Sequence, residues 1–78
     1  MYNIELFDNG NNWIETIANA DFKHIFKVAR FIFRGYTQGS FYANVYRDRY
    51  FIGRIASYNG LVIYTRGTDL KQVVLREL

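Results

Sequence analysis

Hydrophobic and polar positions alternate along the first part of the chain with the period of a β-strand. Residues Tyr2 to Phe7 and Trp13 to Ile17 form two such segments, separated by the turn-forming run Asp8–Asn12. This pattern predicts an N-terminal β-hairpin. In its second strand, Trp13, Glu15 and Ile17 should share one face, while Ile14 and Thr16 share the other.

A helical pattern follows, from Asn19 to Arg34. Asn19 or Asp21 is expected to cap the N-terminus by accepting backbone N–H bonds, and Gly35 is suited to the left-handed conformation beyond the C-terminus. At about 100° per residue, one broad apolar face is predicted to pack on a sheet; it contains Phe22, Ile25, Phe26, Ala29, Ile32 and Phe33. Phe31 lies outside this face and is expected to be exposed.

Three further strands are predicted at Phe41–Tyr46, Tyr50–Tyr58 and Leu61–Arg66, joined by Arg47-Asp48-Arg49 and by the hairpin signal Asn59-Gly60. A three-residue first loop would pair Val45 with Phe51, Ala43 with Gly53 and Phe41 with Ile55, which gives one apolar face. The opposite face would then carry Tyr42, Asn44, Tyr46, Tyr50, Ile52, Arg54, Tyr58, Leu61 and Ile63.

The tail, Thr68–Leu78, fits a short helix or an edge strand equally well. The chain is therefore expected to form a single α+β domain over residues 1–78. Its predicted architecture is one antiparallel sheet of about four to five strands, ordered ββαβββ, with one amphipathic helix packed on one face.

The composition excludes several classes of protein and of site. The chain has 78 residues with 7 Tyr, 7 Phe and 1 Trp, and it has no Cys and no Pro. A disulfide framework and a thiolate zinc site are excluded. The apolar content argues against disorder. No apolar run approaches the roughly 20 residues that span a bilayer, and the N-terminus does not resemble a signal peptide, so no membrane association and a cytoplasmic location are expected.

The formal net charge of +3 is unevenly distributed. Residues 1–22 contain acidic side chains and no Lys or Arg, whereas residues 23–66 are strongly basic, with Asp48 as their only acidic residue. Arginine dominates the basic side chains and favours bidentate contacts with carboxylate or phosphate. The distribution indicates an acidic partner, unless the acidic segment folds over the basic one.

Catalytic motifs are absent from the sequence. His24 is the only histidine, and no P-loop, dinucleotide fingerprint or nucleophile elbow is present. Glu5 and Glu15 could approach each other across the first hairpin, but no companion residues suggest acid–base chemistry. We therefore expect no enzymatic activity, no cofactor and no metal.

Two sets of residues are candidates for binding. The first is a Tyr/Arg set on the predicted meander: Tyr42, Tyr46, Arg47, Arg49, Tyr50, Arg54 and Tyr58. Tyr and Arg are enriched at interface hot spots, although Tyr also favours strands for its own sake. The second is the helix stripe of Lys23, Lys27, Arg30 and Arg34, which could follow phosphates, meet an acidic partner or be a solvated helix face.

The helix Asp21–Arg34, followed by the hairpin Phe41–Ile55 with its Arg47-Asp48-Arg49 turn, resembles in size and organisation the small phage-encoded inhibitors of host defence, anti-CRISPR proteins among them. The resemblance implies a non-enzymatic protein in the host cytoplasm that inhibits a larger protein or ribonucleoprotein complex by occupying its surface. Two alternatives stay open: a small basic nucleic-acid-binding protein, and a homodimeric assembly module.

Overall fold

The computed structural model describes residues 1–34, 41–58 and 60–77. In chain order the elements are β1 (Tyr2–Phe7), β2 (Trp13–Ala20), α1 (Phe22–Arg34), β3 (Tyr42–Arg47), β4 (Tyr50–Tyr58), β5 (Leu61–Arg66) and β6 (Gln72–Glu77). The predictions for Gly35 and Asn59 lie outside the described residues. On either side of position 59, Tyr58 and Leu61 pair directly.

The strands form one open antiparallel sheet in the order β2-β1-β3-β4-β5-β6. The expected sheet of four to five strands is therefore wrong, because the sheet has six. Strand β1 lies inside the sheet, between β2 and β3, and its pairing with β3 joins the first hairpin to the meander. The two edges are β2 and β6.

The sixth strand comes from the tail, which rules out the helical alternative. Val73 and Val74 suit a strand, and they pair with Tyr64 and Ile63 of β5. The chain reverses before them through Leu70, whose φ is 59°, and the backbone N–H of Arg66 donates to the carbonyl of Lys71 at 2.9 Å. A helical tail would have left unpaired the backbone groups of β5 that point away from β4.

Helix α1 covers one face of the sheet, called here the inner face. The hydrophobic core lies between this face and the helix. It consists of branched aliphatic and alanine side chains from both: Ile4, Leu6, Ala20, Ile25, Val28, Ala29, Ile32, Ala43, Val45, Ile55 and Val62. No polar or charged side chain is buried among the described residues. Burial of apolar area therefore carries the stability of this small domain.

The helix is rotated relative to the sequence prediction. Ile25, Val28, Ala29 and Ile32 are its buried residues. Phe22 and Phe26, expected in the core, are 63% and 47% exposed. Small and branched side chains let the helix approach the sheet closely, and the rings lie on the helix flank beside β6. There the guanidinium of Arg76 lies 4.7 Å from the ring centre of Phe33.

A β-bulge corrects the predicted register of β3 and β4. Asp48, with φ of 59°, belongs to a two-residue turn rather than a three-residue loop, so Arg47 pairs with Tyr50. The bulge then leaves Ile52 unpaired, and Val45 pairs with Gly53. The predicted pairing of Val45 with Phe51 is therefore wrong. The extra residue in β4 exchanges the two faces of the strand, so side chains before and after Ile52 alternate in opposite phase.

The first hairpin also contains bulges, one of which leaves Ile14 without a partner. As a result, Trp13 pairs with Phe7, whereas Glu15 pairs with Leu6 on the inner face. The prediction that Trp13 shares a face with Glu15 is wrong for this reason. Trp13 is on the same face as Thr16, to whose Oγ1 its Nε1 donates at 2.8 Å.

Asp21 caps the helix N-terminus, which settles the choice between Asn19 and Asp21. Its Oδ1 accepts bonds from the backbone N–H groups of Lys23 at 3.0 Å and His24 at 3.3 Å. Nδ1 of His24 lies 2.8 Å from the same oxygen, within hydrogen-bond distance. The His24 hydrogen bond, together with the backbone bonds, lowers the pKa of Asp21 below its ordinary value of 3.8.

This cap predicts a pH dependence of stability. Because the pKa of Asp21 is lower in the folded protein than in the unfolded chain, its contribution is present above about pH 4 and is lost as the pH falls through the folded value. Asp21→Asn keeps a capping side chain but does not titrate. Urea midpoints measured from pH 2.5 to 6 should fall less steeply for this variant than for the wild type. Parallel curves would show that the carboxylate contributes nothing.

Candidate interaction surface

No described helix or strand packs on the face of the sheet opposite α1, which is called here the outer face. Direct strand pairing organises its side chains into rows that run across all six strands. The apolar row consists of Trp13, Phe7, Tyr42, Ala56, Ile63 and Val74. The polar row beside it consists of Thr16, Glu5, Asn44, Arg54, Thr65 and Gln72.

Tyr42, in the apolar row, is held by contacts on its ring and on its hydroxyl. Its ring stacks on Phe7 of the neighbouring strand, with centres 5.2 Å apart and planes 14° from parallel. The guanidinium of Arg54 lies 4.8 Å from the same ring centre, and the Tyr42 hydroxyl donates to Oδ1 of Asn11 at 2.7 Å. These contacts hold Tyr42 in one orientation.

Arg54 links the two rows. Its Nε donates to Oδ1 of Asn44 at 3.0 Å, while its guanidinium rests on Tyr42. No ion pair involves Arg54 in the part of the chain that the structure describes. An exposed guanidinium that is oriented but not neutralised can form a charge-assisted bond with a carboxylate of a partner.

Exposed aromatic rings lie at the ends of the outer face. Trp13, at the β2 edge, is 60% exposed, and Tyr58, at the end of β4, is 66% exposed. Tyr46 and Phe51 form an edge-to-face pair with centres 5.9 Å apart, beyond the polar row. Such rings present large rigid surfaces and cost little conformational entropy on binding.

The predicted Tyr/Arg set is divided by the structure. Tyr42, Tyr46, Arg54 and Tyr58 lie on the outer face. Arg47 and Tyr50 pair with each other on the opposite side of the sheet, and Arg49 lies in the turn between them. The two-residue turn and the bulge at Ile52 cause this division, since the prediction assumed strict alternation through a three-residue loop.

Sequence reasoning missed three aromatic members of this surface. Phe7 meets Tyr42 only because β1 pairs with β3, two strands that are far apart in the chain. Trp13 and Phe51 change face at bulges. The Asn59-Gly60 signal identified one hairpin, but no comparable signal marked the bulges.

The helix stripe of Lys23, Lys27, Arg30 and Arg34 lies where the periodicity placed it, on the side of α1 away from the sheet. All four side chains are exposed. In the described residues, the ion pairs are His24–Asp21 and Arg66–Asp69, and neither includes a residue of the stripe. The stripe and the outer face are on opposite sides of the molecule.

Residues 1–34, 41–58 and 60–77 contain neither a metal-binding cluster nor a membrane-spanning helix. No group of three or more acidic or histidine side chains there is arranged to hold a metal ion. No helix in those ranges is long and apolar enough to cross a membrane. No protein-family model matches the chain, and comparisons with curated proteins and with solved structures found no similar protein.

Proposed function

We propose that this chain is a non-enzymatic binding protein that docks its outer face on a larger protein and so inhibits or modulates that protein or its ribonucleoprotein complex. One observation carries the proposal: an apolar row crosses all six strands on the face opposite the helix, and its central tyrosine is already fixed by Phe7, Arg54 and Asn11. Its side chains are exposed at Trp13 and Val74, partly exposed between them and buried at Ile63. Exposed apolar side chains grouped on one face are typical of interaction sites.

The two rows suggest how the partner is recognised. The apolar row offers area for burial from Trp13 at one edge to Val74 at the other, whereas the polar row offers hydrogen-bonding groups and the guanidinium of Arg54. A partner surface with an apolar ridge beside a carboxylate matches this arrangement. Docking alone excludes other ligands from the covered surface, so inhibition needs no catalytic group.

The outer face is tested by substituting Trp13, Arg54 and Tyr58 with Ala together. Each side chain is exposed, so the fold should be retained, and loss of hot-spot contacts should weaken capture of the partner by about 30-fold or more. The measurement is quantitative affinity capture from cells that contain the natural partner, followed by titration of the identified partner with purified protein.

The matched control substitutes Arg47, Arg49 and Tyr50 with Ala. These residues are also exposed and lie at one hairpin end, away from the rows. The control should bind like the wild type. If the control loses the partner and the outer-face variant keeps it, the hairpin end is the binding site and the proposal is wrong.

Light scattering on the purified protein distinguishes a foreign partner from a second copy of the chain.

A further inference from the structure

Helix α1 presents a surface that the proposed docking through the outer face does not use. Its residues Phe22–Arg34 include four basic side chains and no acidic one. At about 100° per residue, the basic stripe lies opposite Ile25 and Ile32, which face the sheet. The stripe is about 16 Å long at 1.5 Å per residue.

Nearby acidic groups do not neutralise the stripe. The carboxylate of Asp21 is occupied by the helix cap and by His24. Glu15 borders the same groove as Lys27 without forming an ion pair. Four positive charges in a line, without counter-ions from the described protein, give the helix a field that attracts polyanions.

Exposed phenylalanine rings flank the stripe on both sides. Phe22 and Phe26 form an edge-to-face pair on one flank, with centres 5.4 Å apart. Phe31 lies on the other flank, where its ring packs 5.2 Å from that of Phe41 and remains half-exposed. The core does not require Phe22 and Phe26, since the buried seam is made of aliphatic side chains.

We propose that the solvent face of α1 binds single-stranded nucleic acid, with Lys23, Lys27, Arg30 and Arg34 contacting phosphates and Phe22 and Phe26 stacking on bases. Charge complementarity identifies the phosphate backbone, and the exposed rings favour a single strand, whose bases are free to stack. A flat anionic membrane fits less well, because the cations lie on the most protruding line of the helix and hold a flat surface away from the flanking rings.

The test measures fluorescence anisotropy of a labelled oligonucleotide of 20 deoxythymidines over a series of salt concentrations. Counter-ion release predicts a slope of log K against log salt of about −0.7 for each phosphate contacted, or about −2.8 for four contacts. Substituting Lys27, Arg30 and Arg34 with Gln should make this slope shallower by about 2 and remove most of the binding at low salt.

A matched control substitutes Arg47, Arg49 and Lys71 with Gln, which removes the same number of positive charges from other exposed positions. This control should keep the wild-type slope. Phe26→Ala should weaken binding about tenfold without changing the slope, because it removes stacking rather than charge. The outer-face variant should bind the oligonucleotide normally, so failure of this proposal is distinguishable from failure of the proposed docking.

Three results would overturn the inference. The first is equal loss of binding in the helix variant and the control, which would show that net charge alone is responsible. The second is tighter binding of a 20-base-pair duplex than of the single strand. The third is binding to vesicles of phosphatidylserine and phosphatidylcholine with none to the oligonucleotide.

Discussion

Replacing Ile32 by Ala should lower the free energy of unfolding by about 3–4 kcal/mol. Ile32 is completely buried between the helix and the inner face of the sheet, so truncation removes apolar contacts and leaves a cavity. A domain of this size has a total stability of roughly 4–12 kcal/mol, and the loss is a large part of it. Urea unfolding followed by circular dichroism measures the change.

Two further variants make this result interpretable. Ile32→Val should cost about 1 kcal/mol and gives a graded measurement if the alanine variant does not fold. Phe26→Ala should cost only about 1–1.5 kcal/mol, because nearly half of this residue is already exposed. The periodicity of the sequence places both residues in the core. A larger effect at Phe26 than at Ile32 would mean that the sequence prediction, and not the structure, has the helix orientation right.

Substituting Gly53 with Ala should also destabilise the protein, by about 2–3 kcal/mol. In a strand this change is ordinarily favourable, because Gly loses more backbone entropy on folding. Here the ring of Tyr64 crosses directly over Gly53, and a Cβ at position 53 would overlap that ring. The Tyr64 hydroxyl donates to the carbonyl of Ile52 at 2.9 Å, so the ring cannot move away without losing this bond. Burial also raises the pKa of Tyr64.

A double-mutant cycle separates this overlap from general intolerance at position 53. Tyr64→Leu removes the ring, so adding Gly53→Ala to that variant should cost much less than it does in the wild type. Urea unfolding of the four proteins gives the coupling free energy. Equal costs in both backgrounds would place the strain somewhere other than the Tyr64 ring.

Local signals in the sequence identified most of the elements. The period of two found β1 and β4, and Asp21 was one of two caps proposed for α1. The tail was left open because Val73 and Val74 fit both a helix and a strand. The choice depended on the unpaired edge of β5, which is a tertiary effect that no local pattern carries.

The candidate surface was harder to predict for two physical reasons. Bulges at Ile14 and Ile52 add one residue to a strand and so exchange its faces, which moved Trp13, Phe51 and Tyr50 away from their predicted neighbours. The apolar row also depends on β1 meeting β3, a long-range pairing. Tyr42 and Arg54 were predicted on the same face because two one-residue differences between them cancel. The turn is one residue shorter than predicted, and the bulge at Ile52 adds one residue.

The position of β1 inside the sheet has a consequence for the order of folding events. The first hairpin and the β3–β6 meander can each form from strands adjacent in the sequence, whereas Phe7 reaches Tyr42 only after the whole helical segment has closed as a loop. Helix α1 contacts β2 on one side of this seam and β4, β5 and β6 on the other. The first hairpin and the meander are therefore expected to form early. Their association through β1 and β3, beneath the helix, is expected to limit the folding rate.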